Sequence, residues 1–267
     1  MRSPRSVLSS PRSRPSRDAG RKAFFTEIDH QFQVPSQRHQ LLTLLNEFAS
    51  STRFCPTVST LSTHALMKSL ANSLFLDNSS TVCTAAINLF IKLLPYFAVN
   101  ARERLRQLLP NLLAILARIM CWRERLPTVN DPLIRHDEEF EKELYSDATR
   151  PVHIRPEVNW TKLEMTFTSE PSLPPSSRNY FSMLYYLYPS NTLKFIRGPV
   201  AYLTESSIDN PYVEPWDVAL DERMIQRKSE VRFLPLMGIS ATDGSRRTLC
   251  GNTSAIRSLS GAMLKKS

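Results

Sequence analysis

Apolar residues along this chain recur at helical spacing from about Pro35 onward. Leu41, Leu44, Leu45 and Phe48 stripe one helix that Ser36 can cap, and Leu61, Leu66, Leu70 and Leu74 stripe a second over residues 59–75. The third stripe is the most regular. After the cap-like run Asp77-Asn78-Ser79-Ser80 it runs Val82, Ala85, Ala86, Leu89, Phe90, Leu93, Leu94 and Phe97. Asn100 and Glu103 open a fourth helix carrying Leu105, Leu108, Leu109, Leu112, Leu113, Leu116, Ile119 and Met120. Pro110 lies inside that stripe and should kink or split the helix, because it removes one backbone hydrogen bond. Short connections between amphipathic helices predict stacked helical hairpins over residues 35–123, the unit of a HEAT-type solenoid.

Residues 124–177 break the pattern and read as an acidic, proline-rich insertion, partly disordered. Within it, residues 137–143 suggest a short exposed helix, 152–156 and 164–168 extended chain, and 171–175 a loop. Helical spacing resumes over 178–234. Phe181, Leu184 and Tyr188 share one face, and Tyr180, Met183 and Leu187 share another, so this helix should be deeply buried. Asn191 can cap a further helix with Leu193, Ile196, Val200 and Leu203, bent at Gly198-Pro199, and another helix fits residues 215–228. Residues 1–34 and 235–267 are expected to be disordered tails. The fold class expected is therefore all-α, a HEAT-like α-solenoid of helical hairpins with disordered basic tails and a long irregular insertion.

Composition supports that class and locates the charge. At 267 residues and 42 % hydrophobic content the chain can bury a sizeable core, while 6 glycines against 19 prolines disfavour glycine-rich phosphate turns and suit proline-broken helices. The net charge of +9 belongs to the tails: residues 1–22 carry +6, residues 245–267 carry +5 and the body carries −2. Nucleic-acid binding by the body is disfavoured on that distribution, which leaves the tails as the basic segments that could serve it. Cys55, Cys83, Cys121 and Cys250 are widely separated, form no CxxC pair and lack histidines at zinc-finger spacing, so a zinc site is not expected. Cys83 and Cys121 fall within apolar helical patterns, which favours reduced thiols and an intracellular compartment. No signal peptide is read at the N-terminus, and the longest apolar stretch, 108–122, is interrupted by Pro110, Asn111 and Arg118.

Candidate chemistry is sparse. No phosphate-loop, dinucleotide, HExxH or nucleophile-elbow motif occurs, and His136 beside Asp137 and Glu138 is the one histidine-carboxylate run. No catalytic residue, metal ligand, cofactor or small-molecule substrate is therefore assigned. Tyr180, Tyr185, Tyr186 and Tyr188 could stack on a ligand, but their interleaving with Leu and Met at helical spacing favours a core role. Arg178, Lys194 and Arg197 are the candidate contacts for an anionic lipid or a partner, with a solvated helix face as the plainer reading.

Three segments in order, AAINLFIKLLP at 85–95, ARERLRQLLPNLLAILARIMCW at 101–122 and LYYLYPSNTLKFIR at 184–197, resemble the N-terminal helical domain of the hamartin family, in a fungal-type form. The last block is the specific one, and Leu184, Tyr185, Leu187, Tyr188, Pro189, Asn191, Phe195, Ile196 and Arg197 match it. The resemblance implies a non-enzymatic HEAT-like scaffold that stabilises and targets the tuberin GTPase-activating complex, restraining Rheb and TOR signalling. It also implies a cytoplasmic protein with peripheral, phosphoinositide-dependent association at vacuolar or lysosomal membranes. Family members bind tuberin largely through a C-terminal coiled coil, and no sustained heptads occur here. By that resemblance, the basic tail stands here in place of the family's first helical repeats. Two other readings stay open: a generic HEAT adaptor or membrane-targeting module acting without tuberin, and a nucleic-acid binder using its tails.

Overall fold

The computed structural model describes residues 17–121, 153–163 and 175–232. They form an all-α fold, in which the one β pairing among the described residues is the isolated antiparallel bridge Ile154–Tyr212. The helices are α1 (Arg17–Phe32), α2 (Arg38–Ala49), α3 (Val58–Thr63), α4 (Leu66–Leu76), α5 (Ser80–Asn100) and α6 (Arg102–Met120). They continue as α7 (Arg178–Leu187), α8 (Pro189–Arg197), α9 (Pro199–Glu205), α10 (Trp216–Ala219) and α11 (Glu222–Arg232). The chain divides after Lys228, and of the second unit the described part is the helical turn at 229–232.

In the first unit the helices pair and the pairs stack. α1 packs on α2, α4 on α5 and α6 on α7; α1, α4 and α6 succeed one another in one layer, and α2, α5 and α7 in the other. Long α5 is the central element, touching α2, α3, α4, α6 and α7. Its length and apolar composition would suit a membrane span, yet Val82, Cys83, Ala86, Ile87, Leu89, Phe90, Leu93, Leu94 and Phe97 are all buried by neighbouring residues. That burial is what the apolar stripe is for.

This pairing is one helix out of step with the expected hairpins, because α1 occupies sequence assigned to a disordered tail. Its buried residues Phe25, Ile28 and Phe32 form a short helical stripe in an otherwise charged segment. The helix expected over 59–75 is two, α3 and α4, broken at His64, whose backbone is extended and whose Nδ1 accepts from the Leu66 N–H at 3.1 Å. Ser36 lies in a 3-10 turn and gives α2 no side-chain cap, whereas Ser79 does cap α5 by accepting from the Val82 N–H. Asn100 ends α5 instead of opening α6; its side chain bonds back to the Tyr96 carbonyl, and Ala101 occupies the cap. Pro110 does not split α6. The carbonyl it leaves unpaired belongs to the exposed Arg106, where water can replace the lost donor. The expected segments at 137–143, 164–168 and beyond 235 lie outside the described residues.

Candidate functional site

The block over 178–205 folds as short helices because prolines stand where helices can begin. Pro189 and Pro199 occupy the first positions of α8 and α9, where a missing N–H costs nothing and a fixed φ suits the helix. Tyr188 and Gly198 each end one helix and start the next. Asn191, expected as a cap, instead directs Nδ2 to the Tyr202 hydroxyl at 3.4 Å. Tyr180, Phe181, Leu184, Phe195 and Ile196 are buried, and the Tyr180 hydroxyl donates to the Leu112 carbonyl of α6 at 3.1 Å. Burial pushes the Tyr180 phenol well above its ordinary range. The Phe181 and Tyr185 rings stack at 6.0 Å, and Phe195 meets Tyr202 edge-on at 5.9 Å. Leu187 and Tyr188 are half-buried, Pro189 is exposed and Tyr186 faces solvent at 55 %. Of the four tyrosines expected in the core, Tyr180 is buried, Tyr185 and Tyr188 are half-buried and Tyr186 is exposed; Phe181, Phe195 and Tyr202 supply the other buried rings.

The charged candidates do not converge on one pocket. Arg178 and Arg197 are exposed at the start of α7 and the end of α8. Lys194 reaches Glu205 Oε2 at 2.7 Å and stands 6.0 Å from the Tyr202 ring, and the hydrogen bond to Glu205 raises its pKa. Sequence reasoning missed a second basic group beside the block. Exposed Arg102 and Arg106, four apart on α6, act on the Tyr188 phenol: burial pushes its pKa up, and Arg106 and Arg102 pull it back. A separate shallow apolar cleft of about 390 Å³ lies where α1 meets α2, lined by Gly20, Arg21, Phe24, Phe25, Phe48 and Thr57. Among the described residues no three of His, Cys, Asp or Glu gather within metal-binding reach.

Several solved chains are similar to this one, and two of them describe the likeness. One, described as the TSC1 N-terminal domain, has a TM-score of 0.48 and 21 % identity, covering 71 % of this chain and 42 % of its own. The other, described as the structure of TSC1 NTD and linker domain, has a TM-score of 0.46 and 17 % identity, covering 93 % and 57 %. This chain thus spans about half the length of those it matches. No family model matches the chain, and no curated protein matches it.

The most elaborate polar arrangement lies elsewhere, around Asp77 at the end of α4. Its Oδ1 accepts from Arg38 Nη1 at 2.7 Å, Trp160 Nε1 at 3.1 Å and the Leu163 N–H at 3.0 Å, and its Oδ2 accepts from Ser73 Oγ at 2.7 Å. Arg38 also donates to the Phe32 and Gln33 carbonyls that end α1, and its Cζ lies 3.9 Å from the centroid of the Trp160 ring. Both members of the pair are fully buried. Burial lowers the Arg38 pKa, and Asp77 opposes that shift. Arg118 of α6 completes the cluster, donating to the Phe75 and Asp77 carbonyls and to Asn78 Oδ1. These hydrogen-bonded groups join α1, α2, α4, α6 and residues 153–163.

Residues 153–163, placed by sequence in the irregular insertion, cross this surface as a strap. Trp160 and Leu163 hold one end at Asp77, where the Asn78 N–H also donates to the Leu163 carbonyl at 3.0 Å. At the other end Glu214 accepts from the His153 N–H at 2.9 Å and meets its Nδ1 at 2.7 Å; Arg155 donates to the Tyr212 carbonyl and to Asp209. Of the extended chain expected at 152–156, residues 153–155 pair across the bridge at Ile154, whereas Pro156 stands in a turn closed by the Val158 N–H on the Arg155 carbonyl. The Trp in a polar stretch was the one sequence signal for the anchor.

Proposed function

We propose that this chain is a non-catalytic helical scaffold of the hamartin type, which stabilises and targets a tuberin-type GTPase-activating subunit and thereby restrains Rheb and TOR signalling. One observation carries the reading. The three segments that resemble the family, at 85–95, 101–122 and 184–197, lie on α5, α6 and α7–α8, and these helices pack on one another as a single body. A sequence resemblance scattered over unconnected surfaces would support the reading less well. The scaffold acts in the cytoplasm and docks at vacuolar or lysosomal membranes, with Arg178 and Arg197 as exposed cations for anionic headgroups and Lys194 held by Glu205.

Affinity purification of the tagged full chain from its own cells tests the first part: a tuberin-type subunit should co-purify, and its absence from a stable, well-expressed chain overturns the assignment. The membrane part is read by flotation with phosphatidylcholine vesicles carrying phosphoinositides. Arg178→Glu with Arg197→Glu should abolish flotation at unchanged melting temperature, and undiminished flotation removes those residues from the contact.

A further inference from the structure

The strap is held the way a bound peptide is held. Of its residues only Trp160 is buried, at 9 % exposure; His153, Pro156, Glu157, Asn159 and Thr161 are exposed and the others half-buried. Its remaining hold combines main-chain pairs, Leu163 with Asn78 at one end and His153 and Arg155 with Val213 and Pro211 at the other, with side-chain contacts of Asp77 to the Leu163 N–H, Glu214 to His153, and Arg155 to Asp209 and the Tyr212 carbonyl. One indole in a pocket plus backbone hydrogen bonds at both ends of a non-helical segment is how a peptide ligand can be held. We propose that the surface between Arg38-Asp77 and Tyr212 is a docking groove for a non-helical, tryptophan-bearing segment, occupied in this structure by the chain's own residues 153–163.

The groove specifies that occupant. Arg38 stands over the ring face, where a cation favours an electron-rich aromatic, and Asp77 Oδ1 requires an N–H at the ring edge. Trp supplies both; Phe lacks the donor and Leu lacks both. Release of the strap is moderate in cost for the same reason that its docking is modest. It uncovers one large side chain, and the Arg38–Asp77 pair regains water when the indole leaves, which offsets part of the loss. As part of the same chain, the strap rebinds without a diffusional encounter, at high effective concentration. An external segment of like chemistry therefore competes only with the open fraction, and its apparent affinity falls by that fraction. The groove becomes a site whose partner displaces an internal mimic, whatever the chain's relation to tuberin.

The probe is a labelled synthetic peptide of residues 153–163, read by fluorescence anisotropy against the full chain. The Trp160→Ala chain, with its own strap weakened, should bind the peptide at least tenfold more tightly than the parent chain does. A peptide carrying Trp160→Ala should not bind either. Equal, absent or Trp-independent binding to a Trp160→Ala chain with native circular dichroism overturns the proposal. Should that variant fail to fold, hydrogen exchange of the parent chain decides. The Asn78, Arg155, Leu163 and Val213 amides should exchange together and at least tenfold faster than core amides of α5; exchange of all of them only through global unfolding would show that the strap never opens.

Discussion

The Asp77 carboxylate and the Arg38 guanidinium are both cut off from water, so each depends on the other for compensation of its charge. Asp77→Ala leaves the buried guanidinium with the Phe32 and Gln33 carbonyls but no counter-charge, and frees Trp160 and Leu163. A loss of about 3–5 kcal/mol is expected in urea unfolding, the range for breaking a buried pair by removing one partner. Arg38→Met with Asp77→Leu should recover much of that loss, since two neutral side chains leave no buried charge. Glu214 acts at the strap's other end and gives a pH signature. The hydrogen bond from His153 is the largest influence holding its carboxyl below the usual range. A depressed folded value means stability that is complete above the ordinary carboxylate range and is lost as pH falls through that lower value. Melting temperatures of the parent chain and Glu214→Gln should therefore differ near neutrality and converge in acid; a constant gap would detach Glu214 from the strap's hold. Neither anchor was legible as a pair. Asp77 looked like one more cap residue, and apart from Ser73 the residues its carboxylate meets are dozens of positions away, so no local period could report them.

At the level of elements, the stripes that run longest were the ones read correctly. α5 and α6 each present apolar residues over several turns, and that periodicity marks their buried faces directly. α1 was missed because Phe25, Ile28 and Phe32 sit among charged residues that continue the basic tail, so composition hid a short stripe. Once α1 is counted, the partners of α2, α4 and α6 all change by one. The aromatic block was legible as core, and Leu184, fully buried on α7, tests it. Leu184→Ala should cost about 2–5 kcal/mol, as large-to-small core changes do, and a shift of a few tenths would place the side chain outside the core. The break between α8 and α9 has a narrower cause than Gly198-Pro199 suggested. Gly198 has φ −152°, open to any residue, and an added Cβ would meet the Ala201 Cβ at an ordinary 3.7 Å. Proline at 199 is what turns its predecessor away from helix. Gly198→Ala should thus stay within about 0.5 kcal/mol of the parent chain; a large loss would return the bend to the glycine.

Across the first unit the last described segments complete what the early helices leave open. The Tyr212 hydroxyl donates to the Phe75 carbonyl at the end of α4 at 2.7 Å, and the Tyr180 hydroxyl donates to Leu112 in mid-α6. Lys228 donates to the Met120 carbonyl at the end of α6. α7 covers both α5 and α6, so these two helices owe part of their apolar burial to residues beyond 175. The local stripes therefore describe helices that are incomplete as a body: each is well formed by periodicity, yet the surface it needs is supplied from far along the chain. A chain cut after Cys121 should keep much of its helicity, because the stripes and the Ser79 cap are local. It should lose the sharp urea transition and bind an apolar dye, because the α7-facing surfaces of α5 and α6 are bared and the Leu112 carbonyl loses the Tyr180 hydroxyl. A cut chain that unfolds as steeply as the parent and binds no dye would show that the first helices carry a finished core. The aromatic block would then be an appendage to that core and no longer its completing layer.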